Sequence, residues 1–309
     1  QLGRYDEALQ ASREVVRLSR EALGPEHPDT LTSLNNLGGL CLEMDDFDEG
    51  VRVFEELVPL FKRVLGPDHP DAIVSTANLG RAYLEVKRFG EAQELLESAL
   101  HKLEIQLGPD HPYVVSMLSN LVTAYLSCGN NERAREATAE LLGIAQESRN
   151  SLRAGKIYGG VAAVALKMLE HHEYVTAERC ARECLSFREQ AMPDSWLVFN
   201  TRSMLGAALL GQGKFSEAEP LLVDGYEGLK ARESTIPPQG AMRLPEALER
   251  LVELYTAWGR PDEAANWQTV AEKMTNETLQ ETGTTEHAQD GGIAAKPNEE
   301  ADPRPKSPE

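Results

Sequence analysis

Between residues 72 and 107 the apolar positions fall at helical spacing twice over. Val74, Leu79, Gly80, Tyr83 and Leu84 line one stretch, the pattern pauses near Lys87-Arg88, and Ala92, Leu96, Ala99, Leu100 and Leu103 line a second. A period near 3.6 in each stretch predicts two amphipathic helices joined by a short turn. Gly80, Ala92 and Ala99 are small where two helices must approach closely, and Tyr83 is large where a gap must be filled. Gly108-Pro109 then breaks the chain, because glycine suits a helix C-terminus and proline cannot continue a helix.

The same pattern returns every 42 residues. The connector reads LGPEHPD at 23–29, LGPDHPD at 65–71 and LGPDHPY at 107–113, and Leu37, Leu79 and Leu121 keep the same phase. In each His-Pro step the proline fits the first helical turn, and Asp29 and Asp71 complement the positive helix end. A fixed period of this length predicts a solenoid whose units pack only on their neighbours. The expected fold is all-α, a right-handed α-solenoid of stacked helix hairpins. Helix pairs are predicted at 29–44 with 47–65, 71–86 with 89–107, 113–128 with 131–148, 151–170 with 173–190, 195–211 with 215–232, and 244–258 with 261–279. Tyr5–Leu23 aligns with a second helix alone. The expected organisation is therefore a half repeat over 1–23, three regular repeats over 24–149, three divergent ones over 150–280, and a disordered acidic, proline-containing tail over 281–309. A chain that starts inside a repeat reads as part of a longer protein, and an uncovered helix at 5–23 predicts fraying or self-association.

The small/large pattern Leu79-Gly80-x-x-Tyr83, Ala92, Ala99 resembles the tetratricopeptide repeat, and the 42-residue period with its LGPDHP connector resembles the longer variety found in kinesin light chains. The pattern thins in the fourth copy, where Val164, Ala165 and Met168 stand for Leu-Gly-x-x-Tyr, and returns at Leu205-Gly206 and at Leu251–Tyr255. From Trp196 to Trp267, the segments Ala218-Glu219-Pro220-Leu221-Leu222, Ile236-Pro237-Pro238-Gln239 and Arg243-Leu244-Pro245-Glu246-Ala247-Leu248 resemble the C-terminal region of large bacterial serine/threonine protein kinases. The resemblance spans roughly 5–275. It implies a regulatory or recruiting arm, with any kinase domain upstream of Gln1.

Composition narrows the function classes. A net charge of −19 argues against a polyanion partner such as nucleic acid, which needs clustered Lys and Arg, and weakly favours basic surfaces. No run of 18 apolar residues or apolar signal region occurs, so neither a membrane span nor export is expected, and the chain reads as cytoplasmic. Cys41, Cys128, Cys180 and Cys184 read as small buried side chains rather than a disulfide framework. Cys180 and Cys184 with His171 and His172 lack the spacing of a structural zinc site. His27, His69 and His111 recur too far apart to share an ion and read as turn residues. ALLGQGKF at 208–215 lacks the first glycine and the hydroxyl of a phosphate loop, so Gly211 and Gly213 also read as turn residues. No catalytic constellation, cofactor site or metal site is predicted.

A binding surface is predicted. On each first helix the residues beside the core stripe would face the inside of the superhelix: Asn35 and Asn36 in the first copy, Asn78, Arg81 and Glu85 in the second, Asn120 and Thr123 in the third. Asn36, Asn78 and Asn120 would form a ladder. An amide both donates and accepts, so it can pair with an extended peptide backbone whatever the side chains. The tetratricopeptide resemblance implies that role for these three asparagines. A terminal-carboxylate clamp would need more bases, since only Arg81 is well placed. The expected function is a non-catalytic module holding a peptide or partner protein in a concave groove. The alternatives are a fragment of a serine/threonine kinase and an oligomerisation scaffold.

Overall fold

The computed structural model describes residues 2–287, with side chains placed over 6–275. Among these residues there are thirteen α-helices and no strand. α1 (Leu2–Leu23) comes first. Six pairs follow: α2 (Pro28–Glu43) with α3 (Phe47–Val64), α4 (Pro70–Glu85) with α5 (Phe89–Leu107), α6 (Pro112–Ser127) with α7 (Asn131–Glu147), α8 (Ala154–Glu170) with α9 (Tyr174–Ala191), α10 (Trp196–Gly211) with α11 (Phe215–Lys230), and α12 (Arg243–Ala257) with α13 (Pro261–His287). Two short 3₁₀ turns, Glu233–Thr235 and Pro238–Gly240, lengthen the link before α12. The fold is the right-handed α-solenoid expected from the period.

Each boundary has a local cause. Gly24, Gly66 and Gly108 take φ of 92°, 93° and 85°, a region closed to most side chains. The histidines of the connectors do more than turn the chain. His27, His69 and His111 are N-caps whose Nδ1 accepts the backbone N–H of Asp29, Asp71 and Tyr113 at 3.2, 3.2 and 3.3 Å. Each satisfies one of the amides a helix start leaves without a partner. Within each pair the turn holds one left-handed residue, in order Asp45, Lys87, Gly129, His172, Gly213 and Gly259. The next amide then reaches back to the first helix, as Arg88 N does to Tyr83 O at 2.8 Å, which is the Schellman closure.

Three expectations are revised. α8 begins at Ala154 rather than 151, because turn bonds such as Ser151 N to Ser148 O occupy the chain before it. α13 runs to His287, past 279, and the rest of the acidic stretch, 288–309, lies outside the described residues. Gly211 lies inside α10, not in a turn; a Cβ there would meet the Tyr174 ring at 2.2 Å.

Size complementarity joins the helices of a pair. A Cβ on Gly38 would lie 2.8 Å from the Phe54 ring, one on Gly80 2.8 Å from Leu96, and one on Gly206 2.6 Å from Leu222. Where the second helix carries a smaller residue, the first carries a larger one: Val122 stands in register with Thr138, and Ala165 with Ala181. Phe54, Leu96, Leu222, Thr138 and Ala181 are all buried. At Gly38, Gly80 and Gly206 the missing Cβ thus makes room for a large side chain of the second helix.

Between pairs, an ion pair joins each second helix to the next turn or second helix. Glu55 pairs with Arg88 (2.6 Å), Glu97 with Arg133 (3.3 Å), Glu178 with Lys214 (3.2 Å) and Glu219 with Arg260 (2.9 Å). The charges are reversed where Arg13 meets Glu49 and where Arg135 meets Glu173 (2.9 Å). At three of the four unreversed seams the sense follows the neighbouring first helix; at the fourth that position is Leu209. Tyr83, Tyr125 and Tyr255 donate their hydroxyls to Glu55, Glu97 and Glu219, so an acceptor must stand there. At the reversed seams that position is Cys41 or Met168, which makes no such demand. Burial and the Glu55 hydrogen bond push Tyr83 up to about 12. Such solvent-screened pairs contribute little, so apolar packing carries the stability.

Candidate functional site

The first helices form the inner wall. α2, α4, α6, α8, α10 and α12 pack on one another in succession, whereas among second helices only α7 and α9 come comparably close. α6 and α8 are the tightest of these neighbours, helped by Gly160, whose missing Cβ leaves room for Val115 and Ser119. Side chains beside the core stripe of α4, α6 and α8 therefore converge.

Two recesses result. The first is small, about 70 Å³, between α4 and α6, and is lined by Val74, Asn78, Arg81, Tyr113, Ser116 and Asn120. The second is a cleft of about 430 Å³ across α4, α6 and α8, lined among others by Glu85, Lys87, Asn120, Thr123, Lys167 and His171. Asn120 borders both. Of the residues expected from the sequence, the structure gathers Asn78, Arg81 and Asn120 in one recess and Glu85, Asn120 and Thr123 in the other. Asn36 is exposed on α2 and lines neither, and Asn35 is half-buried with its Oδ1 enclosed and without a hydrogen-bond partner among the described residues.

Tyr113, Lys87, Lys167 and His171 were not singled out from the sequence as groove residues. For Tyr113 a signal existed: it stands where the two earlier connectors have Asp29 and Asp71, and its ring is exposed beside His111 at 5.5 Å between centroids. Arg81 likewise stands where the flanking copies have Gly39 and Thr123. Arg81 makes no ion pair among the described residues, while Lys167 is held by Glu170 at 2.8 Å. Thr123 donates its hydroxyl to Ser119 O at 3.2 Å, so only its methyl and lone pairs remain for a ligand.

Other candidates serve packing. An opening of about 470 Å³ between α1, α2 and α3 is lined by Arg13, Arg17, Arg20 and Arg52, but the first three are already bonded to Glu49, Glu21 and Glu56. Cys41, Asp46 and Glu49 lie within metal-binding reach of one another, and the Arg13 guanidinium occupies both carboxylates. Cys180 and Cys184 are buried, and burial pushes both thiols up to about 12. Cys128 is exposed at the end of α6, against the expectation that it would be buried. No helix among the described residues is long and apolar enough to cross a membrane.

Residues 1–56 and 34–104 match one family model described as tetratricopeptide repeat, and 200–223 match a second of the same description. Residues 1–104 and 200–223 thus carry tetratricopeptide repeats. Among solved structures this array is similar to a putative kinesin light chain with nearly identical TPR-like repeats from Podosopora anserina, at 20% identity over 67% of this chain and 98% of that one, TM-score 0.57. It is also similar to BtubC (BKLC) from P. vanneervenii, at 19% identity over 77% and 92%, TM-score 0.54. The apo quorum sensor NprR from B. thuringiensis matches at 12% identity over 87% and 83%, TM-score 0.52. At these identities the likeness is one of fold. No curated protein sequence matches this chain.

Proposed function

We propose that the chain is a protein-interaction module that holds an extended segment of a partner protein against α4, α6 and α8. The observation that carries this reading is the pair of asparagines, Asn78 and Asn120. Both are half-buried at the floor of adjoining recesses, and neither makes a hydrogen bond among the described residues. A half-buried amide with free donors and acceptors costs little when water covers it and gains most when a peptide backbone replaces that water. Arg81 and Tyr113 flank the pair and would give side-chain preference, with Lys87 and His171 at the far end. The exposed Asn36 contributes least to this reading.

Peptides selected from a random display library against the intact chain test it. Replacing Asn78 and Asn120 together by alanine should weaken the selected peptides at least tenfold and leave helicity unchanged, since neither side chain supports the core. Peptides that bind the double variant as well as the original chain would remove these recesses as the site.

A further inference from the structure

The connector between α7 and α8 differs in its chemistry from those before it. It reads Ser148-Arg149-Asn150-Ser151-Leu152-Arg153, without the glycine and prolines of the earlier three. From Ser148 to Leu169 there is no acid, in a chain of net charge −19. Arg149 and Arg153 stand on either side of Ser151, and Lys156 follows one turn into α8. Ser151 is exposed, and Leu152 beside it is fully so. The Ser151 Oγ accepts the N–H of Arg153 at 3.2 Å, and its own proton goes to no acceptor among the described residues. α8 then begins with no side-chain cap and no acid in its first turn. Its start is therefore positive twice over, from the aligned peptide dipoles and from the bases.

We infer that Ser151 is a phosphorylation site, the acceptor for a serine/threonine protein kinase that selects arginine on both sides of its target. In the transfer the Ser151 hydroxyl oxygen bonds the γ-phosphorus of ATP, its proton passes to the kinase's catalytic carboxylate, and ADP leaves. The product phosphate carries a charge of about −1.5 to −2 at pH 7, which the start of α8 lacks. The two arginines respond differently. Arg149 is fixed by Glu183, Ser186 and Gln190 at 3.0, 2.9 and 3.1 Å, so it stays in place and adds a constant positive field. Arg153 is held by Asp110 alone, at 3.0 Å, across to the connector before α6, and its side chain is 44% exposed. A phosphate two residues away draws that guanidinium from Asp110, because it offers more charge and three acceptor oxygens. Phosphorylation thereby replaces a tie between neighbouring repeats by a cap on α8.

The intact chain is incubated with Mg-ATP and a purified serine/threonine kinase whose peptide substrates carry arginine two residues either side of the acceptor, and the sites are mapped by mass spectrometry. Phosphate should enter Ser151 at least tenfold faster than any other serine or threonine over residues 6–275, and Arg153→Ala should slow it at least threefold. The chain with phosphoserine encoded at 151 gives a second readout. By phosphorus NMR its second ionisation should fall below the ordinary value of about 6, and Arg153→Ala should return it toward that value. Amide exchange over residues 154–158 should slow. Phosphate entering other positions in preference to Ser151, an Arg153→Ala chain modified as fast as the original, a phosphate whose ionisation ignores Arg153→Ala, or unchanged exchange at the start of α8 would each overturn the assignment.

Discussion

At the register position that is Asn78 in α4 and Asn120 in α6, α10 carries Met204 and α12 carries Arg250. The asparagines line open recesses, whereas Met204 is fully buried. Arg250 donates to Ser203 Oγ at 3.0 Å and to Glu246 at 3.4 Å. Around it, Asn200, Thr201 and Ser203 are buried, although their counterparts in α6, Ser116, Met117 and Ser119, all line the recesses. Nearby Arg188 is buried too, and donates to Thr201 at 2.6 Å. The same helix face thus leaves hydrogen-bonding groups open in one half of the array and uses them for its own cohesion in the other. Position within a repeat does not decide whether a residue is functional. What decides it is whether the neighbouring repeat has already taken up its polar groups.

Backbone approach separates the halves most sharply. A Cβ on Gly225 in α11 would lie 2.8 Å from Ser203 N and 3.0 Å from Phe199 O, and backbone cannot give way as a flexible side chain can. Gly159 in α8 has nothing within 4 Å of the same added atom. Gly225→Ala should therefore destabilise the chain by about 3 kcal/mol through overpacking. Gly159→Ala should stabilise it by about 0.5–1 kcal/mol by relieving the entropy cost of a mid-helix glycine. Urea unfolding followed by circular dichroism reads both. Equal losses at the two sites would mean that α8 is packed as tightly as α11, and the contrast between open and closed halves would fail.

The two arginines on the wall give the next largest effect. Arg250 is mostly buried, and burial holds its guanidinium below the usual arginine range. Arg250→Ala should cost about 1–3 kcal/mol, because Ser203 loses a buried partner. Arg81→Ala should change stability by less than about 0.5 kcal/mol, as surface substitutions do, while weakening a groove ligand. A large loss from Arg81→Ala would make that residue structural and take it out of the recognition surface.

Helix order, period and pairing were legible in the sequence because each rests on local signals: apolar spacing, glycine with proline after a helix, small residues at crossing points. The connector histidines were legible as turn residues but not as N-caps, since capping by Nδ1 depends on a rotamer. The groove was half legible. Asn78, Arg81 and Asn120 fall together because they sit on adjacent first helices, and periodicity predicts that much. That Asn36 stands apart, or that Arg250 closes the wall farther along, depends on how each helix tilts against the next. No internal period encodes that tilt. The departures from the repeat, Tyr113 for Asp71 and Arg81 for Gly39, were in plain view and mark, beside the recurring asparagines, where one copy's exposed face differs from the next.

The outer rim carries a subtler contrast. Where α1 meets α3, Arg20 bonds Glu56 at 2.6 Å, and where α7 meets α9, Gln146 donates to Glu183 at 3.4 Å. At the matching positions of α5 and α7 two acids meet, Glu104 and Glu140, with Glu104 Oε1 enclosed. Burial first, then the hydrogen bond and charge of Glu140, push the Glu104 carboxyl up to about 7. A raised carboxyl stabilises the fold most below its ordinary value near 4.5 and loses that contribution as pH rises to about 7. Glutamine at 104 keeps the shape and can donate to Glu140 without a charge. Glu104→Gln should therefore raise stability at pH 8 by about 1 kcal/mol, allowing for solvent screening at a partly exposed site. It should leave pH 4 nearly unchanged and flatten the slope between pH 4.5 and 7. A slope that persists in the variant would place the titration elsewhere and reduce the α5–α7 rim to ordinary solvated acids.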